Sequence, residues 1–165
     1  MLVDAIRLGV GSLIGTLIVL LTTASAQGAE RIYLKYGPLL FSLSVESLAT
    51  FVHTGEITPE LARYTSQLDQ NTRQQLRQAL QQPYTMNEVA VYRMTEIPVV
   101  VDFLQGLGEV INTPSGLNGF YAIRSALVLA AAEPGDWTMM DVIHHFPTDI
   151  RIDVERAMQR FPVMP

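Results

Sequence analysis

Between Gly119 and Ala132 the chain runs 14 residues with one charge, Arg124, and it would be apolar on nearly every side of a helix. A helix of that kind must be surrounded by other elements, so the segment sets the plan: a central core helix with the rest packed about it. It is too short to cross a bilayer, which takes about 20 residues. Ala122, Ala126 and Ala130 repeat every fourth residue and form a ridge of small side chains, over which a neighbouring helix can approach closely. Pro134 and Gly135 end the helix.

The surrounding punctuation is mostly helical. Ser44 opens a helix whose Val45, Leu48, Ala49 and Val52 share a face, with His53 in the last turn and Gly55 just past the end. Thr58 before Pro59 is an N-cap with proline at the first helical position, and Leu61, Tyr64 and Leu68 follow as a stripe. Asp69 starts a helix to Gln82, with Thr72, Leu76, Ala79 and Leu80 on one side and glutamines on a solvated face. Thr85 and Glu88 have the spacing of a capping box. Ala90, Met94, Ile97, Val101, Leu104, Gly108 and Ile111 then step alternately by four and three, a seam for core packing that Pro98 should kink or break near Ile97. Thr138 and Asp141 cap a short helix ending at Phe146-Pro147, and Asp153 caps a last one through Phe161.

Ile32–Leu34 and Leu39–Leu43 read as short extended pieces around a Gly37-Pro38 turn, and Ile150 and Ile152 alternate with polar neighbours. One of the two early pieces is expected to pair with Ile150–Ile152. The expected fold class is therefore mainly α: a compact domain of about six helices, with a small β pairing between the N-terminal part of the mature chain and the C-terminal region.

The domain is expected to begin after residue 26. Leu8–Leu21 is an uncharged, mostly apolar run behind Arg7, and Ala24-Ser25-Ala26 suits signal peptidase. Residues 1–26 read as a secretory signal peptide and 27–165 as a single helical domain. The alternative is an uncleaved anchor, since Leu8–Ala26 spans 19 residues without charge. There is no cysteine for thiolate zinc, disulfides or lipid attachment. The net charge of −5 argues against nucleic acid and anionic membrane surfaces. No membrane association is expected once residues 1–26 are removed.

Chemistry-bearing residues are sparse. His53, His144 and His145 fall near helix C-termini, where an imidazole meets the negative end of the dipole, and adjacent histidines point about 100° apart rather than chelating. No metal site and no cofactor is expected. G-x-S-x-G is absent, and Ser115 is explained by its Pro-Ser-Gly turn, so no catalytic residue is assigned. Glu88, Glu96, Asp102 and Glu109 define no pair. Arg124 stands out. A guanidinium in an apolar helix must reach solvent or a carboxylate: Glu133, Asp136 or an acid from another helix would make it structural. The alternative is a clamp for an anionic ligand or partner, with Tyr121 and Tyr36 near the mouth of an apolar site.

Several segments together carry a resemblance: Ile32 to Pro38, Ser44 to Gly55, Phe120 to Ala126, and Phe146-Pro147 with Ile150 to Asp153. They resemble an uncharacterised exported domain of cyanobacterial proteins, typically found ahead of an α/β-hydrolase domain, over roughly residues 29–160. The resemblance implies the periplasm or thylakoid lumen and association with a serine hydrolase. The hydrolase part has no counterpart here. The expected function is an exported, non-catalytic accessory domain that packs on or regulates an α/β hydrolase. The alternatives are a binding module for a small apolar ligand or lipid, and a hydrolase with an unrecognised site.

Overall fold

A computed structural model describes residues 28–161, so the expected signal peptide lies outside the described residues. The chain begins with a hairpin of β1 (Arg31–Tyr36) and β2 (Leu39–Ser44). Gly37 adopts φ +54°, which a side chain would resist, and Pro38 completes the two-residue turn. Five helices follow: α1 (Val45–Thr54), α2 (Pro59–Thr65), α3 (Gln70–Gln81), α4 (Glu88–Met94) and α5 (Pro98–Val110). Then come β3 (Ile111–Asn112), α6 (Gly119–Ala132), α7 (Met139–His144), β4 (Ile150–Asp153) and α8 (Val154–Arg160).

The strands form one mixed sheet in the order β2-β1-β4-β3. The expected pairing is present: β1 and β4 run parallel, with Ile32 opposite Ile150 and Leu34 opposite Ile152. The expectation of a mainly α domain with about six helices is overturned. The described residues form an α/β fold with eight helices and a four-stranded sheet. The reason is physical. β3 is two residues long and continues directly from α5, so periodicity assigns Ile111 to the helical seam. β4 joins β1 and β3 through long-range pairing, which local patterning does not encode.

Most caps form where the sequence puts them. Ser44, Thr58, Asp69 and Asp153 accept from the backbone three residues on, Gly55 turns left-handed at φ +79°, and Thr138 with Asp141 makes the capping box. Two local expectations change, and the break expected near Ile97 is complete. Asn87, not Thr85, caps α4, accepting from the Ala90 amide at 2.9 Å. Pro98 splits the seam completely: α4 stops at Met94, α5 starts afresh with Pro98 at its first turn, and Ile97 is exposed. α3 buries no residue fully; its Arg77 and Gln81 side chains instead donate to the Val52 and His53 carbonyls at the end of α1.

The main core joins Ile32, Leu43 and Ile150 of the sheet to α1, α6, α7 and Phe146. The alanine ridge is buried as expected, with Ala126 and Ala130 fully inaccessible. α6 is not buried all round, since Tyr121 and Leu129 face solvent. Val91, Ala130, Ala131 and Trp137 form a second cluster where α4 meets α6. No helix among the described residues is long and apolar enough to cross a membrane.

Candidate apolar binding pocket

Over the sheet lies a cavity of about 610 Å³. Ile32, Ile111, Ile150 and Ile152 come from the strands, and Val100, Phe103, Leu104 and Leu107 from α5. Ile123 and Leu127 of α6, Met139, Val142 and Ile143 of α7, and Leu80, Met94 and Phe146 complete it. All of these side chains are apolar. The volume lies in the range of about 300–1,000 Å³ common for ligand sites.

Local sequence explains the frame. Pro98 sets the start of α5, and Gly108 lets its far end meet Gly119 and Phe120 of α6 backbone to backbone. A methyl group on Gly119 would collide with the Gly108 carbonyl. The two helices are thus pinned at one end, while Leu104, Leu107, Ile123 and Leu127 line the space further along. Phe103 is 56% exposed, so the pocket meets solvent beside α5. Such a lining offers contact and exclusion of water but no hydrogen bond. It suits hydrocarbon and gives a polar group no partner inside.

The residues singled out from sequence lie elsewhere, and none lines this cavity. Arg124 donates from Nε to Thr95 Oγ1 and from Nη2 to Glu96 Oε1, both at 3.0 Å. Its carboxylate partner comes from the turn between α4 and α5, rather than from Glu133 or Asp136. Tyr121, on the first turn of α6, is exposed and meets Phe120 edge to face. Tyr36 closes β1 at the hairpin turn, and no ring contact or hydrogen bond among the described residues joins it to Arg124 or Tyr121.

No described serine is hydrogen-bonded to a histidine. Ser44 and Ser47 donate to Glu60 at 2.6 and 2.9 Å, and Arg31 reaches the same carboxylate at 3.3 Å. Those bonds hold the Glu60 carboxyl below its ordinary range, Ser44 contributing most. Ser115 bonds Thr113 at 2.8 Å. Burial lowers the pKa of His144, partly opposed by Asp141, and His145 lies 3.6 Å from Glu133.

An apolar site between the helices is among the alternatives the sequence allows, but its place is not legible there, although its lining residues are. Met94, Leu104 and Ile111 belong to the predicted seam, and Ile123 and Leu127 to the predicted core helix. Periodicity reports which face is apolar, and it carries no signal for whether facing side chains fill the volume between them.

No curated protein and no solved structure matches the chain. A family described as alpha/beta hydrolase of unknown function (DUF1400) matches residues 28–153, most of the chain, and the chain belongs to that family.

Proposed function

We propose that this domain is a non-catalytic binding module that holds the hydrocarbon part of a ligand, an acyl chain or similar small apolar molecule, in the service of an α/β hydrolase. One observation carries the reading: a 610 Å³ cavity lined only by apolar side chains and open beside Phe103. The family description supplies the hydrolase context. The residues themselves supply no G-x-S-x-G and no serine bonded to histidine among those described. Binding of a chain here is driven by burial of apolar surface, roughly 25 cal/mol per Å².

Native mass spectrometry and fluorescence displacement with hexadecanoate and hexadecanol test it. One equivalent of either chain should bind, and Leu107→Trp should fill the space and weaken both while leaving thermal stability intact. A folded protein that binds neither chain overturns the proposal. The accompanying proposal, that the domain is exported with cleavage after Ala26, is tested by the mass of the mature protein, which should begin at Gln27.

A further inference from the structure

From Tyr36 to Leu43 the chain carries no charge, and Tyr36, Leu39, Leu40 and Phe41 are all exposed, by 47, 52, 61 and 45%. The hairpin register sorts them by face. Tyr36 lies opposite Leu39 and Leu34 opposite Phe41, so Tyr36, Leu39 and Phe41 share the face that carries Ile32 and Leu34. Leu40 lies opposite Lys35 and projects from the other face. The tip therefore shows apolar side chains on both sides, Leu40 lying beside Lys35, whose ammonium is met by Asp153.

That two-sidedness decides what covers it. A globular partner docked on either face leaves the other in water. A pairing strand needs the outward backbone groups of β2. The two-residue turn makes Tyr36 and Leu39 a hydrogen-bonded pair, so the outward groups are those of Leu40, Ser42 and Ser44. The Tyr64 hydroxyl already donates to the Ser42 carbonyl at 2.7 Å, blocking the ladder at the next outward residue after Leu40. A lipid phase covers both faces at once and needs no ladder.

We propose that the β1–β2 hairpin tip inserts into the interfacial layer of a lipid bilayer. Tyr36, Leu39 and Leu40, nearest the turn, enter the acyl boundary, and Phe41, level with Leu34 two rungs back, stands at headgroup level. Insertion is shallow, because the free backbone groups of Leu40 stay hydrated. It does not rely on anionic lipid. Lys35 is paired with Asp153 at 3.2 Å, and the Glu155 carboxylate stands near Gly37. The charge of −5 weighs against anionic surfaces but not against an apolar wedge. The inference rests on the hairpin alone and does not depend on the pocket.

The chain has no cysteine, so one introduced thiol carries a single label. Leu40→Cys, bearing an environment-sensitive fluorophore, is titrated with phosphatidylcholine vesicles in the full chain, beside Gln75→Cys on exposed α3 as a control. The Gln75 label reports any approach to the vesicle brought about by residues 1–26. The Leu40 label should shift to the blue and be quenched by lipids brominated near the top of the chain, with no added response to phosphatidylglycerol and no change at Gln75. A Leu40 label that keeps its aqueous emission with vesicles present overturns the proposal. So does a label already shielded without lipid as protein concentration rises, which would point to a second copy.

Discussion

The guanidinium of Arg124 on α6 lies over the ring of Tyr92 on α4, 4.6 Å from its centroid. The same group donates to the buried hydroxyl of Thr95 and to the Glu96 carboxylate. One side chain thus ties the central helix to the end of α4 by three contacts. Glu96 is 54% exposed and keeps much of its hydration, so its share is at most about 1 kcal/mol. The ring and the threonine contribute the rest.

Arg124→Met should therefore cost roughly 1–2 kcal/mol in urea unfolding, through the lost ring contact and hydrogen bond. Arg124→Lys should recover only part, because an ammonium cannot serve ring, hydroxyl and carboxylate together. Hexadecanoate binding should be unchanged in both. Weakened binding at unaltered stability would instead mark Arg124 as a ligand clamp.

The glycines of α5 and the one that opens α6 separate by what surrounds them. Gly119→Ala and Gly108→Ala place a methyl group against backbone of the opposite helix, which moves only if the helices part. Each should lose about 1–3 kcal/mol, outweighing any gain in helix propensity. At Gly106 the neighbour is the far end of the Arg160 side chain, which can swing away. Gly106→Ala should be neutral or stabilising, by up to about 1 kcal/mol. Thermal unfolding of the three variants checks the ordering, and equal losses at all three sites would contradict it.

Local chemistry was legible where the cause is local. Ser44, Thr58, Asp69, Asp153 and the Thr138–Asp141 box cap the helices they were assigned, because a side-chain oxygen reaching a backbone amide three residues on is a short-range event. The burial of Ala122, Ala126 and Ala130 was equally plain. The sheet was only half visible. Ile150 and Ile152 alternate, so β4 showed itself, whereas Ile111 and Asn112 become a strand only because β4 lies beside them. Thr85 has the right spacing for a cap, yet Tyr84 is held in a bridge to Trp137, and the helix starts after Asn87. The pocket depends on volumes between α5, α6, α7 and the sheet, a property of assembly that no single segment records.

Glu60 links the hairpin to α1 and α2 and should make stability sensitive to acid. Hydrogen bonds from Ser44 and then Ser47 lower its pKa from 4.5; burial opposes them, and Arg31 adds a smaller pull in the same direction. A carboxyl depressed in the folded state contributes stability that is present above its unfolded value and lost as pH falls through the folded one. Stability should decline below about pH 4.5 and level off once the folded carboxyl is protonated. Glu60→Gln should be less stable at neutral pH and show a flatter decline in that window. An unchanged slope of unfolding free energy against pH in the variant would remove Glu60 as the cause.

Trp137, the single tryptophan, gives the second cluster its own reporter. The indole is 4% exposed, stacks on Tyr84 with centroids 4.8 Å apart, and donates from Nε1 to the Met86 carbonyl at 2.7 Å. Backbone bonds of 2.8 and 3.1 Å between Tyr84 and Trp137 close the same bridge, holding the segment before α4 against the start of α7. Native emission should therefore be blue-shifted and move to the red on unfolding. Trp137→Phe keeps an aromatic ring beside Val91 and Ala131 but removes the donor. Because Met86 is 38% exposed, water can reach the orphaned carbonyl, so the hydrogen bond should account for only about 1 kcal/mol. Lost ring volume adds a packing cost, and Trp137→Ala should lose about 3–5 kcal/mol. A native spectrum at the wavelength of free tryptophan would show that this cluster does not form in solution.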